Sequence, residues 1–300
     1  MESLKTILYF SIFKYPLKLD EICSFTPDKD REKIESELAR LVERKIIFKV
    51  DEFYLTDCDP SCIEKRKKGN MMAADALEIA KQRARFISRF PFVEGVGVSG
   101  SLSKGYYDND SDIDFFVITK HGKLWITRSL LMLYKKIFLL NSRKYFCINY
   151  FMSSANLEVE EKNRFTATEI RTLIPFQGKD TLAAFYRQNQ WVSGILGDFE
   201  PGLEKVPNIQ KPIFSRLIEL IFTARFGSFT DAALRKFTVR FWKVKFRHMS
   251  GEDFKVALKS TDNVSKHHPS HFQKKVISAL NEKYDELRRT HNIELAREYA

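Results

Sequence analysis

Two carboxylates and a glycine-serine pair carry the chemistry most readily read from this chain. Asp112 and Asp114 stand two residues apart just before the apolar run Phe115-Phe116-Val117-Ile118. Strand side chains alternate between faces, so this spacing predicts that both acids project from one side while Ile113 and Phe115 turn to the other. Two carboxylates on one open face make a cation site. Gly100-Ser101 closes an earlier apolar run that starts at Val93, where backbone N–H groups and a hydroxyl meet a phosphate at the start of a helix. Phosphate and cation then share one pocket, with Ser103 and Lys104 beside it as a further hydroxyl and a positive charge.

The elements that position these groups follow from the flanking pattern. A long helix rich in Ala, Met71 to Phe90, ends before Pro91 and delivers the chain to the Val93 strand. Residues 58–70, with the basic run Lys65 to Lys68, read as a joint leading into that helix; the basic run reads first as a solvated surface, with Arg66 over the pocket as the alternative. Lys144 to Met152 supplies a further strand. The run from Leu124 to Leu140 is interrupted by Arg128, Lys135 and Lys136, so it reads as a buried amphipathic helix rather than a membrane span. The Asp108-Asn109-Asp110-Ser111 segment lacks the glycine and closing glutamate of an EF-hand loop, which excludes that kind of calcium site.

Gly100-Ser101, ten intervening residues, then Asp112-Ile113-Asp114 resembles the signature of the nucleotidyltransferase superfamily that includes DNA polymerase beta, over about residues 91–152. The resemblance implies a mixed-sheet α/β (α+β) core, Gly100, Ser101, Ser103 and Lys104 at the nucleotide phosphates, and Asp112 and Asp114 as catalytic ligands of Mg2+ (or Mn2+). It implies a nucleoside triphosphate substrate, ATP foremost, and an acceptor that is a nucleic acid, a small molecule or a protein. The chemistry agrees: magnesium prefers one or two carboxylates with phosphate oxygens, and two ions about 3.5 to 4 Å apart serve attacking and leaving oxygens alike. The family usually has a third carboxylate on a later strand. Here that strand holds Asn149, an amide that cannot take a proton. Either Asn149 fills the place, or Glu158 or Glu160 reaches in from just beyond, or catalysis is weakened.

Composition sets the frame. The chain has 300 residues, 44 % of them hydrophobic and 26 of them Phe, enough for two or three packed units. A formal charge of +11 favours polyanionic partners such as nucleic acid, nucleotide or an anionic membrane surface. From Gly202 onward 19 Lys and Arg stand against 11 Asp and Glu, so the last third is the electropositive one. Four scattered cysteines argue against a secreted disulfide scaffold and for a reducing cytoplasm, and Cys58-x-x-x-Cys62 lacks the second pair of a zinc site. The N-terminal stretch has neither signal peptide nor membrane-span character.

Residues 1–60 read as three helices, a first one stopped near Pro16, Asp20 to Phe25, and Lys29 to Lys45, followed by a hairpin of Ile46 to Val50 and Phe53 to Leu55 about Asp51-Glu52. This order resembles a winged helix-turn-helix. From Asp28 to Lys45 six acids stand against six bases, a poor phosphate-binding face, so scaffolding is at least as well supported as DNA reading. The remaining units are a connecting helix at 61–90, a catalytic domain at 91–195 and a helical basic region at 196–300. Thr166 to Glu169 is a helix start, Ile174-Pro175-Phe176 a break, and Phe185, Tyr186, Trp191 and Val192 a packed face. Helices are expected near 212–225, 230–248 and 269–292. In Arg235 to Arg247, Phe237, Phe241 and Val244 sit at core spacing, with the cations on the wet side. His267-His268-Pro269-Ser270-His271 reads as a loop and helix start, not a metal cluster.

The function that the nucleotidyltransferase resemblance implies is transfer of a nucleoside monophosphate from a nucleoside triphosphate to a hydroxyl acceptor with release of pyrophosphate. The rival is a winged-helix DNA-binding or regulatory protein whose nucleotidyltransferase domain only senses nucleotide or is inactive.

Overall fold

The computed structural model describes residues 1–57, 59–142, 144–222, 224–267 and 271–299. Cys58 and the centre of the histidine run, His268 to Ser270, lie outside the described residues. The first sixty residues form α1 (Glu2–Ser11), β1 (Leu17–Lys18), α2 (Leu19–Ser24), α3 (Arg31–Glu43), β2 (Phe48–Val50) and β3 (Phe53–Leu55), with the strands in the antiparallel order β1-β3-β2. Asp30 opens α3 by accepting the N–H of Lys33 at 3.1 Å, and Ile34, Leu38 and Leu41 bury its inner stripe.

Helix α4 (Ser61–Ile87) starts well before the expected joint ends. The basic run and Gly69, read as a linker, lie inside it. Gly69 is needed there because the Tyr106 ring lies close against the helix: a Cβ at residue 69 would come 2.3 Å from that ring. Further on, Ala73, Ala76, Ala80 and Ala84 form a buried small-residue stripe that lets α4 lie close against the sheet.

The central sheet takes β4 (Val93–Ser99), β5 (Asp114–Thr119), β6 (Cys147–Ser153), β7 (Ile174–Gln177) and β8 (Val264–Lys266) in the order β7-β4-β5-β6-β8. Only β5 and β6 run parallel, so the sheet is mixed and the fold is α+β. Phe115 and Val117 face α4 and α6 (Leu124–Phe138), whereas Phe116 and Ile118 face α7 (Arg164–Thr172), α8 (Lys179–Gln188) and α9 (Val192–Leu196). The break expected at Ile174-Pro175 is the edge strand β7, a place that tolerates proline because one side of its backbone needs no ladder bond.

The C-terminal third is not purely helical. After α10 (Ile213–Ile221), α11 (Ala224–Lys245) and α12 (Gly251–Ala257), it supplies the edge strand β8 and then α13 (Phe272–His291). Val276, Leu280 and Tyr284 of α13 share one core with Leu4, Ile7, Ile34 and Leu38 of the N-terminal unit. The expected inward packing of Phe237, Phe241 and Val244 is reversed, for these side chains are 72, 56 and 70 % exposed and Trp242 is the buried one. Leu133, Ile137 and Phe138 of α6, expected to be buried, are exposed as well. None of the helices is long and apolar enough to cross a membrane among the described residues.

Arg66 does not reach the pocket. It is buried, donates to both oxygens of Glu21 at 2.8 and 2.6 Å, and lies over the rings of Tyr15 and Phe53 at 4.3 and 5.0 Å. Its role is to clamp α4 to the N-terminal unit. Truncating one partner of a buried pair strands the other charge, so Arg66→Ala is expected to cost about 3 kcal/mol in urea unfolding. Arg66→Lys should restore only part of that, since an ammonium lacks the planar fork that meets Glu21 twice.

Candidate active site at the Gly100 turn

β4 ends where β5 begins, with Ser99 paired to Asp114 in antiparallel register. Gly100 follows at φ +72°, and a Cβ there would sit 2.5 Å from Asp114 Oδ2. The turn therefore lies flush on the carboxylate and accepts no other residue without displacement. The short helix α5 (Gly100–Ser103) carries the chain away. Asp112 falls in the loop before β5, not on the strand as its spacing suggested, and Asp114 is the first strand residue. The two acids are still close enough for Asp114 to feel the charge of Asp112.

Asn149 comes to the site through a bulge. Asp114 pairs with Cys147 and Phe115 with Ile148, but Phe116 pairs with Tyr150, so β6 has one residue more than β5 at this point. The extra residue is Asn149, whose Nδ2 donates to Asp114 Oδ1 at 2.9 Å. Glu158 is exposed and pairs with Lys162 at 2.6 Å, and Glu160 and Glu161 both pair with Lys259. Neither Glu158 nor Glu160 lines the cavity described below.

The acid that does arrive is Glu169, from the middle of α7. Asn163 caps this helix by accepting the N–H of Thr166 at 3.0 Å. One oxygen of Glu169 accepts the Gly100 N–H at 3.3 Å, and the other meets Lys104 Nζ at 2.7 Å. Lys104 also donates to the Gly100 carbonyl at 2.9 Å, and Ser103 donates to the same carbonyl at 2.9 Å. Ser103 and Lys104 thus fasten the turn, with Lys104 neutralising Glu169. Sequence reading missed Glu169 because its only local signal was a helix start, whereas its place in the site depends on a contact 69 residues away. The Asp108 loop is closed on itself: the carboxylate accepts from Ser111 Oγ at 2.6 Å and Tyr106 OH at 2.9 Å.

Burial pushes the Asp114 carboxyl up to about 6, and the negative charges of Asp112 and Glu169 add to the shift against the Cys147 thiol and Lys104. The same burial, with Asp114 alongside, pushes the Cys147 thiol up to about 12. Among the described residues no group of three or more His, Cys, Asp or Glu is arranged to hold a metal ion. Asp112 and Asp114 nonetheless present hard oxygen donors of the kind that binds magnesium together with substrate phosphate, and mutual repulsion is what a cation relieves.

A cavity of about 340 Å3 opens beside these groups, lined by Asp114, Asn149 and Glu169 and walled by aromatic rings that include Phe116, Phe165, Phe185 and Phe272. Its far side is β8 and the first turn of α13, where buried Lys266 donates to Gln273 at 2.9 Å.

Residues 79–174 match the family model of the nucleotidyltransferase domain. The match runs from the second half of α4 to the start of β7 and takes in Gly100, Asp112, Asp114, Asn149 and Glu169. It supports the nucleotidyltransferase superfamily for this segment and, at that level, a transferase. Searches of the curated proteins and of the solved structures return no match.

A carboxyl whose folded pKa stands near 6, above about 3.9 in the unfolded chain, contributes stability that is fully present below about pH 4 and lost as the pH rises through about 6. Asp114→Asn should therefore stabilise the metal-free protein by about 2 kcal/mol above neutrality and by almost nothing at the acid end, as read by chemical unfolding across pH. Gly100→Ala combines a left-handed backbone with a contact on Asp114, and a loss of about 2 kcal/mol is expected in the same assay.

Proposed function

We propose that the chain is a metal-dependent nucleotidyltransferase that moves a nucleoside monophosphate from a nucleoside triphosphate to a hydroxyl acceptor. The observation that carries this reading is the convergence of Asp112, Asp114 and Glu169 on the Gly100 turn, inside the segment that matches the nucleotidyltransferase domain. Asp112 and Asp114 are the proposed ligands of Mg2+ or Mn2+, with Asn149 holding Asp114 in place. Bound there, the ion supplies positive charge to the triphosphate and acidifies the acceptor hydroxyl.

The chain's own residues account for the rest. The Gly100-Ser101 turn offers its backbone and the Ser101 hydroxyl to phosphate oxygens, with Ser103 and Lys104 fixing its shape. The acceptor oxygen attacks the α-phosphorus, the bond to pyrophosphate breaks, and the acceptor proton passes to a carboxylate. Glu169 is the proposed recipient, since Asn149 cannot take a proton and Glu169 borders the same cavity. That cavity includes Asn149 and Tyr150 in its wall but not Ser103 or Lys104, which supports a reading in which an organic body fills it on the Asn149 side of Asp114. An aromatic lining of this size favours a small acceptor with an apolar body over a polymer end.

Residues 1–60 are read as a winged helix-turn-helix, on the order of α1 to β3 and the strand order β1-β3-β2. This unit is proposed to act as a scaffold, because Arg31 and Lys33 of α3 are paired with Asp20 and Asp28 and its core is shared with α13.

The decisive experiment incubates the protein with each labelled nucleoside triphosphate, Mg2+ and a cell lysate, and follows label into an acceptor. Asp112→Asn combined with Asp114→Asn should abolish transfer, and unchanged transfer would sink the assignment. Glu169→Gln should lower kcat by about 10² to 10⁴ with a smaller change in KM.

A further inference from the structure

Two helices of the C-terminal third are seated with their apolar faces outward. In α10, Ile213, Phe214, Leu217, Leu220 and Ile221 recur at the spacing of one helical stripe, and all five are exposed. The polar face is the one turned inward: Ser215 donates to the Arg89 carbonyl, and Glu219 accepts the Phe92 N–H at 2.6 Å. α11 repeats the arrangement. Phe226, Phe229, Phe237, Phe241 and Val244 lie exposed along its outer side, while Asp231 turns inward to accept the Ile126 N–H at 2.9 Å. The two helices meet through the stacked rings of Phe222 and Phe226, 5.7 Å apart. A helix that hides its polar side and shows its apolar stripe is inverted for life in water, and an apolar face of this extent marks an interaction surface.

Charge decides what covers it. Between 211 and 247 the sequence holds nine Lys and Arg but only two Asp and Glu. Those two acids are Glu219 and Asp231, both turned to the core. Lys236, Arg240, Lys243 and Arg247 are exposed among the phenylalanines and pair with no carboxylate among the described residues. A second copy docked symmetrically would set this cationic face against itself. An anionic bilayer offers both an apolar boundary and counter-charge.

We propose that α10 and α11 form a face that lies on anionic membrane surfaces, with the phenylalanines, leucines and isoleucines seated at the acyl boundary and the lysines and arginines among the headgroups. With no described helix able to cross a bilayer, the contact lies along the surface and does not span it. It stands independently of what the Gly100 site does.

Flotation of the full chain with vesicles tests this. Vesicles of phosphatidylglycerol and phosphatidylcholine in equal parts should capture the protein, capture should weaken with added salt, and pure phosphatidylcholine should capture little. Phe237→Ser with Phe241→Ser should weaken capture roughly a hundredfold, and Lys236→Glu with Arg240→Glu at least thirtyfold, on the order of the burial and charge each pair removes. All four positions are exposed, so thermal melts of both variants should match the parent. A parent chain that the anionic vesicles fail to capture, or whose capture survives the phenylalanine substitutions, overturns the proposal. A dimer that those substitutions dissociate, with no vesicle capture, gives the face to a second copy of the chain instead.

Discussion

The closeness of the Gly100 backbone to the Asp114 carboxylate is the constraint on which the site depends. A turn with no side chain is pressed onto a buried acid, and this is possible only because β4 and β5 are in a register that sets Ser99 opposite Asp114. The turn leaves an N–H pointing outward, which Glu169 accepts, and a carbonyl that Ser103 and Lys104 hold. Moving any one of these groups changes the others, since the glycine, the two hydrogen-bond donors and the acid from α7 all meet on a single peptide segment.

Electrostatics in this corner favour function over stability. Three acids within mutual influence and largely shielded from water are costly, and the raised Asp114 carboxyl is the visible sign of it. Lys104 offsets part of the cost through Glu169, and Asn149 adds a hydrogen bond without adding charge. An aspartate at position 149 would have placed another negative charge directly on Asp114. The amide can thus be understood physically as a neutral prop for Asp114.

What the sequence revealed was local. The strand-turn-strand around Gly100 and Asp114, the apolar stripe of α3 and the acidic hairpin turn are all set by near neighbours, and they stand where their patterns indicated apart from Asp112, which lies in the loop before β5. Glu169 was invisible because nothing near it in the chain distinguishes an acid that reaches the Gly100 turn from one at an ordinary helix start. The outer stripe of α11 was misread for a different reason. Periodicity reports that a helix has two faces, and only a partner such as Ile126 decides which face is inside. The start of α4 was misread because a glycine in a basic run looks like a linker until an aromatic ring from a distant loop is laid against it.

The walls of the cavity come from residues as far apart in the chain as Ser99 and Lys274, and the core of the N-terminal unit is shared with α13. During synthesis the early segments emerge with part of their apolar surface still lacking the α13 partners that it packs against in the folded chain. Contacts this distant in sequence are closed late and slowly. Strand β8 adds the final edge of the central sheet in the same step that brings α13 home. Completion of the pocket therefore waits on β8 and α13, so a form truncated before them would lack a finished cavity even with Asp112, Asp114 and Glu169 all present.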